Sequence, residues 1–423
     1  MKKNVLVFPC GSEIGLEVYR QLANSIHFNA IGASSAPDHG KFVYENYVEG
    51  VPFVDDDNFI DAINAIVEKH HIDFIVPAHD SIVLKLAQHR ADLKCPVMTS
   101  PEETCVIARS KKKTYEVLHD VILTPEVYTL DTIKSYPVFL KPDVGQGSRG
   151  CVKANSLQEV KAALEKNPSL LILEFLPNKE YTIDCFTNRK GELLFAKGRQ
   201  RARISNGISV NSKLVNDERF FALAQKINKA ITFRGAWFFQ VKERANGELV
   251  LMEIAPRIAG TMGLEHGAGV NFVQLSLFDL QDIDVSVFAN TFNIEIDRAL
   301  QAKYRTDLDY DTVYLDLDDT LILGDKVNTQ MMQFVYQCQN ENKQVILLSK
   351  HNKNIDQTLN DFCIDKRLFS QIIHIAQHQK KSDYIKGHTK SIFIDDSFAE
   401  RKDVFFNAHI PVFEVTALDV LLH

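Results

Sequence analysis

Along almost the whole chain, short apolar runs alternate with amphipathic helical stretches, and nothing else in the sequence limits the fold so strongly. This alternation is the signature of α/β architecture, because a strand buried on both faces needs helices to cover it. Strands are predicted at residues 5–8 and 74–77, with helices at about 13–23, 58–69 and 82–88. In the 58–69 stretch Ile60, Ile63, Ile66 and Val67 share one helical face. These elements predict a Rossmann-like domain over residues 1–105. Residues 106–300 open on a basic helix at 111–118. They continue with strands at 138–141, 170–174, 181–186, 193–197, 236–241 and 249–254 and helices near 157–165, 218–231 and 270–280, an α+β pattern. A polar stretch at 298–311 reads as a linker, and a third, smaller α/β domain occupies residues 311–423.

At roughly 100–200 residues per domain, a chain of 423 residues predicts two to four domains. The formal net charge of -7 argues against a dedicated nucleic-acid binder, which needs a basic face. The seven cysteines are odd in number and form no C-x-x-C pair, as expected of free thiols in a reducing compartment. Pro9, Gly11 and Glu13 interrupt the N-terminal apolar run too early for a secretory signal, and no run reaches the roughly 20 apolar residues of a membrane helix. A cytoplasmic protein is expected, with no membrane or nucleic-acid partner and a homodimer left open.

Two glycine loops follow predicted strands. The first, Cys10-Gly11-Ser12-Glu13-Ile14-Gly15, lacks the third glycine of a dinucleotide fingerprint, and the second strand ends in Ser34-Ser35 rather than an acid. It reads either as a tight turn with close helix packing or as a substrate contact at the strand ends. His79-Asp80-Ser81, after the 74–77 strand, lies at such an edge, as a substrate contact or as a helix cap. In the second loop Lys141 closes an apolar strand, and Gly145, Gly147, Ser148 and Gly150 follow. Glycines admit phosphate oxygens to backbone N–H groups, and the lysine adds a fixed charge. Downstream, Gln240 and Glu253 fall on neighbouring predicted strands and offer hard oxygens for Mg²⁺, and Arg257 offers a fork for phosphate.

The order Lys141, glycine loop, Glu174, Glu180, Gln240, Glu253, Arg257 resembles the ATP-grasp superfamily, in the branch of the carbamoyl-phosphate synthase large chain and single-chain carboxylate–amine ligases. The resemblance spans roughly residues 4–300. It implies a Rossmann-like pre-ATP-grasp domain, then a two-lobe ATP-grasp domain with ATP between the lobes. By this likeness Lys141, Lys113 and the lid with Gly145, Gly147 and Ser148 hold phosphates. Glu174 and Glu180 hold the adenine side and ribose, Gln240 and Glu253 hold Mg²⁺, and Arg257 is catalytic. The family's metal strand usually reads Glu-x-Asn-Pro-Arg; here the Asn position is Ala255, which cannot ligate. The implied reaction is carboxylate activation as an acyl phosphate, then amine attack. Arg199, Arg201 and Arg203 alternate, so at period two they are expected on one strand face. Arg201 and Arg203, with Asp80, are the expected substrate contacts.

In the third domain the run Val313-Tyr314-Leu315-Asp316-Leu317-Asp318-Asp319-Thr320 drives a buried strand into three carboxylates, costly unless a metal or a reaction uses them. Ser349 ends a second strand, Lys380 and Lys381 precede a short helix, and Asp395-Asp396 ends a third strand. This ordered set resembles the haloacid-dehalogenase superfamily. The likeness implies Asp316 as nucleophile, Asp318 as general acid and base, Ser349 as phosphoryl contact and Lys381 or Lys380 as charge partner. It further implies Mg²⁺ on Asp316, Asp318 and Asp395, with Asp396 behind them. The gaps between these motifs leave no room for a cap domain, so a capless HAD-like Rossmannoid domain is expected.

The chain is therefore expected to be bifunctional: an ATP- and Mg²⁺-dependent carboxylate–amine ligase joined to a Mg²⁺-dependent phosphatase. Its partners would be a small-molecule carboxylate, an amine and a phosphorylated small molecule. The alternative is a phosphatase regulated by a nucleotide-binding, catalytically weak ATP-grasp module.

Overall fold

In the structure, a computed structural model that describes residues 1–145, 147, 149–205, 207–385 and 390–422, Val5, Leu6, Val7 and Phe8 are at most 1% exposed. Burial on both faces is what an inner strand of a parallel sheet requires. That strand, β1 (Lys3–Phe8), pairs in parallel with β2 (Phe28–Ser34). With β3 (Asn46–Glu49) and β4 (Ile72–Pro77) the sheet order is β3-β2-β1-β4. Ser12 caps the helix Glu13–Leu22, its Oγ accepting from the Gly15 N–H at 3.0 Å.

A four-stranded antiparallel sheet follows, formed by β5 (Val127–Tyr128), β6 (Val138–Pro142), β7 (Val152–Ala154) and β8 (Leu170–Glu174) in the order β5-β8-β6-β7. Val138 and Leu140 turn to the helix Leu157–Lys166, which leaves Phe139 and Lys141 for the opposite face. The largest sheet has the order β13-β12-β9-β10-β11-β14. Its members are β9 (Glu180–Thr187), β10 (Leu193–Ser205), β11 (Ile208–Val215), β12 (Gly235–Glu243), β13 (Leu249–Ala255) and β14 (Glu295–Asp297). On β12 Trp237, Phe239 and Val241 pack beneath the helix Glu218–Ala230, so Phe238, Gln240 and Lys242 face the other way.

One apolar core joins Val5, Val7 and Val76 of the first sheet to Phe186, Phe238 and Phe272 of the later elements. Residues 1–300 accordingly form one compact unit, and residues 301–423 form a second.

The second unit has a five-stranded, all-parallel sheet. Its order around β15 (Thr312–Leu315) places β18 (Gln344–Ser349) and β19 (Gln371–His374) on one side, β20 (Ser391–Ile394) and β21 (Val412–Phe413) on the other. A hairpin of β16 (Ile322–Leu323) and β17 (Lys326–Val327) leads into the helix Thr329–Asn340. Val313 and Leu315 point into one core and Tyr314 into another, so the sheet is covered on both faces. The strand order reverses at β15, and the carboxyl end of such a strand is where open α/β sheets hold ligands. Among the described residues no helix is long and apolar enough to cross a membrane.

Candidate active sites

In the first unit, β6 and β8 line a cleft of about 910 Å³ together with β9, β10, β12 and β13. Lys141 projects into it, only 4% exposed, and its Nζ donates to the Met252 carbonyl at 3.1 Å. Burial disfavours the ammonium and pulls its pKa down to about 8, against the opposing pull of Glu253. Glu253 stands opposite Gln240 in the β12–β13 ladder. Arg201 donates to the Gln240 Oε1 at 3.1 Å and to the Gly207 carbonyl at 2.9 Å, and it also pairs with Glu180. Glu174 grips Arg244 through two bonds of 2.7 and 3.0 Å. Gly207, at φ +76°, packs so tightly on the glycine loop that a Cβ there would lie 2.1 Å from the Gly147 carbonyl carbon. Only glycine fits.

The lysine predicted beside the phosphates needs correction. Lys113 is exposed on the helix Lys111–Leu118, and the cleft is lined by Lys111 instead. Ser110 caps that helix and bonds Asp143, and Lys111 Nζ then reaches the carbonyls of Asp143 at 3.2 Å and Gly145 at 3.4 Å. Ser148, predicted in the same loop, lies outside the described residues.

A larger cavity of about 2160 Å³ opens from the same place toward the carboxyl ends of the first sheet. There Arg257 holds Asp80 through bonds of 2.5 and 2.9 Å. Burial pushes the Asp80 carboxyl up, but Arg257 outweighs it and holds the pKa below the ordinary value. The expectation of three arginines on one face fails at Arg203. Register shifts on either side of it break the alternation, and its side chain, 60% exposed, pairs with Asp297 at 2.6 Å. Arg201 lines the first cleft as well as the larger cavity. Arg199 is buried against Asp184 at 2.7 and 3.1 Å. In the first glycine loop, Asp38 takes the Gly11 N–H at 3.1 Å and the Gly40 N–H at 2.9 Å. A Cβ on Gly11 would meet that carboxylate at 2.1 Å, so the loop's glycines serve close packing.

In the second unit Lys381 Nζ lies 2.6 Å from both Asp316 and Asp395, all three buried. Burial opposes the Lys381 ammonium, but the two carboxylates outweigh it and raise its pKa. Burial raises both carboxyls, against the pull of Lys381. Lys380 is exposed and 3.9 Å from Asp403, so of the two lysines left open it is Lys381 that enters the cluster. The Ser349 hydroxyl is buried beside Asp316 and helps to hold that carboxyl down. Oxygens of Asp316, Asp395 and Asp396 lie within 4.8 Å of one another, a hard donor set that fits Mg²⁺. The Asp318 carboxylate, expected among the metal ligands, is not in that set. It pairs instead with His351 Nδ1 at 2.9 Å, whose Nε2 meets Thr358 Oγ1 at 2.7 Å. Asp396 takes the third place, its N–H bonded to Thr320 Oγ1 at 3.0 Å.

Residues 166–300 match the sequence family described as ATP-grasp in the biosynthetic pathway with Ter operon. No curated protein matches the chain. Among solved structures, biotin carboxylase from Campylobacter jejuni, solved as its β-γ-ATP complex, aligns with a TM-score of 0.57 at 16% identity, covering 68% of this chain and 72% of its own. The L-amino acid ligase from Bacillus licheniformis aligns at 0.54 and 18%, covering 66% and 74%. N5-carboxyaminoimidazole synthetase from Staphylococcus aureus, complexed with ADP, aligns at 0.56 and 15%, covering 67% and 79%. About two thirds of the chain has an ATP-grasp fold. Within that ATP-grasp fold the cleft between the two antiparallel sheets contains Lys141, Glu174, Glu180, Gln240 and Glu253. Its donor set for a metal is thin. Glu253 offers a carboxylate, the Gln240 oxygen already accepts from Arg201, and Ala255 offers nothing. A cation there would rely on Glu253 and on phosphate oxygens, the mode Mg²⁺ commonly uses.

Proposed function

We propose that the chain is a bifunctional enzyme: an ATP- and Mg²⁺-dependent carboxylate–amine ligase with a Mg²⁺-dependent, haloacid-dehalogenase-type phosphatase in its second unit. The observation that carries the ligase reading is the one cleft that gathers a buried lysine, a glycine loop and the Glu253 carboxylate, which has no ion pair among the described residues. The family match and the ligase among the structural relatives support it.

Lys141 and Lys111, with backbone groups of the glycine loop, would hold the triphosphate. A substrate carboxylate oxygen attacks the γ-phosphorus and ADP leaves. An amine nitrogen then attacks the acyl carbon, phosphate leaves, and the nitrogen loses a proton. Mg²⁺ on Glu253 and the phosphates would neutralise charge as it shifts. Both reactants are anionic, so the cations of this chain position them and screen their repulsion.

In the second unit the Asp316 oxygen attacks a phosphoester and forms an aspartyl phosphate, while Asp318 protonates the leaving oxygen. Water, deprotonated by Asp318, then releases phosphate. Lys381 and Mg²⁺ on the three aspartates would offset the gathered negative charge, and the Ser349 hydroxyl, beside Asp316, would donate to a phosphoryl oxygen. A second reading is favoured by Ala255 and by the engaged Gln240: a nucleotide-binding ATP-grasp module that regulates the phosphatase.

Hydroxylamine separates the two. With ATP, Mg²⁺ and a pool of amino acids and sugar acids, the ligase reading predicts a hydroxamate trapped from the acyl phosphate and lost in Glu253→Ala. If nucleotide binds and no carboxylate yields hydroxamate, the module reading replaces it. Mg²⁺-dependent hydrolysis of p-nitrophenyl phosphate, abolished by Asp316→Asn, tests the second unit.

A further inference from the structure

The larger cavity of the first unit carries more positive charge than its own residues use. Arg257 is neutralised by Asp80 at 2.5 Å, and Arg298 by Glu13 at 2.6 Å. Arg201 is paired with Glu180, and Arg199 with Asp184. Two more arginines line the same cavity, Arg109 at the end of the helix Glu102–Arg109 and Arg149 in the glycine loop, which also lines the smaller cleft. Among the described residues neither has a carboxylate within ion-pair distance. Arg109 donates to the neutral Ser81 Oγ at 3.0 Å and acts on Asp80 from a longer range.

Both arginines act electrostatically on His79, beside Asp80 and Arg257. Arg109, Arg149 and the Arg257–Asp80 pair lie about His79 in one corner, and beyond the four ion-paired arginines the cavity lining holds three further cations, Arg109, Lys111 and Arg149, against one further carboxylate, Glu253, a surplus of two positive charges. Guanidinium forks match phosphate oxygens, and a phosphate monoester carries a charge of about -1.5 to -2 at neutral pH. A cavity with this surplus is balanced by a dianion, whereas a single carboxylate would leave it half compensated.

We propose that this corner, formed by Arg109, Arg149 and the Arg257–Asp80 pair, binds a phosphoryl group carried by the ligase substrate. The molecule that supplies the carboxylate or the amine is then a phosphate monoester. The proposal rests on the ligase reading for the word substrate; the anion subsite itself does not. It also assigns a place in a reaction sequence. Ligation leaves the phosphoester bond intact, and a phosphatase, the chemistry proposed for the second unit, would consume that product with release of inorganic phosphate.

Calorimetric titration of inorganic phosphate into the full chain tests this, with Asp316→Asn silencing hydrolysis and the nucleotide cleft saturated with Mg²⁺ and the β,γ-imido analogue of ATP. Saturable binding is expected, weakened about tenfold or more by Arg109→Gln and by Arg149→Gln and largely kept by Arg109→Lys. Succinate should bind more weakly than phosphate. The proposal is overturned by phosphate binding that neither glutamine variant weakens, by no saturable binding, or by succinate binding more tightly, which would mark a dicarboxylate subsite. Unchanged melting of the variants guards against misfolding, and Arg149 sits in an exposed loop where substitution costs little structure. A failure of the analogue itself to bind would instead strike the ligase reading, because the effect of Arg109→Gln is read without turnover.

Discussion

Lys141 shows how one buried charge sets conditions for activity. With its pKa at about 8, the ammonium that the ligase reading assigns to the phosphates is lost above that value. Affinity for MgATP should fall as pH rises through about 8, by up to about tenfold per unit beyond it. Lys141→Met should bind weakly at every pH without that fall, as fluorescence titration would show. Legibility at this scale depends on how a residue reaches its place. Lys141, Glu253, Asp316 and Asp395 end or lie within short strands, so strand periodicity alone brings them to a sheet edge or face. Lys111 could not be told from Lys113, because the choice depends on how Ser110 and Asp143 turn the start of a helix. His351 left no signal either, since its contact with Asp318 spans 33 residues. In the phosphatase reading His351 holds the Asp318 carboxylate away from the aspartate cluster and toward a leaving group. His351→Ala should slow hydrolysis of alkyl phosphates by about 10²-fold or more and of p-nitrophenyl phosphate much less, because a good leaving group needs little protonation. Equal losses on both substrates would point to a structural role.

Elements store the cost of the arrangement. In the short helix Gly263–Gly267, Glu265 is fully buried, and neither carboxylate oxygen has a hydrogen-bond partner among the described residues. Burial, reinforced by Asp184, pushes its pKa from 4.5 to about 7. The folded value lies above the unfolded one, so this residue's contribution to stability is fully present below about pH 4.5 and is lost as pH rises through about 7. Glu265→Gln should match the parent near pH 4.5 and exceed it by about 3 kcal/mol at pH 8, read from denaturant melts. In the neighbouring pair of Asp184 and Arg199, at most 2% exposed, burial raises the Asp184 carboxyl against the pull of Arg199. Arg199→Met would strand a buried carboxylate and cost about 3–5 kcal/mol. The sequence announced most of these strands through their alternation, yet not the bulges in β10 that turn Arg203 to solvent. A bulge inserts a residue without changing the apolar pattern around it.

On the scale of the whole chain, one apolar core runs from the first parallel sheet into the six-stranded sheet, and this binds residues 1–300 into one unit. A break was expected near residue 105, yet residues 1–300 form one unit; the shared core was not legible, because it forms between residues up to 272 positions apart, from Val5 to Leu277. The central claim is that the chain carries two separate chemistries. It is tested most directly by following ADP and phosphate release from ATP and Mg²⁺ with single carboxylates, in wild type, Glu253→Ala and Asp316→Asn. The account predicts ADP release that requires a particular carboxylate, disappears in Glu253→Ala and persists in Asp316→Asn, while phosphoester hydrolysis shows the reverse pattern. ADP release that no carboxylate stimulates, or that Asp316→Asn abolishes, would contradict it.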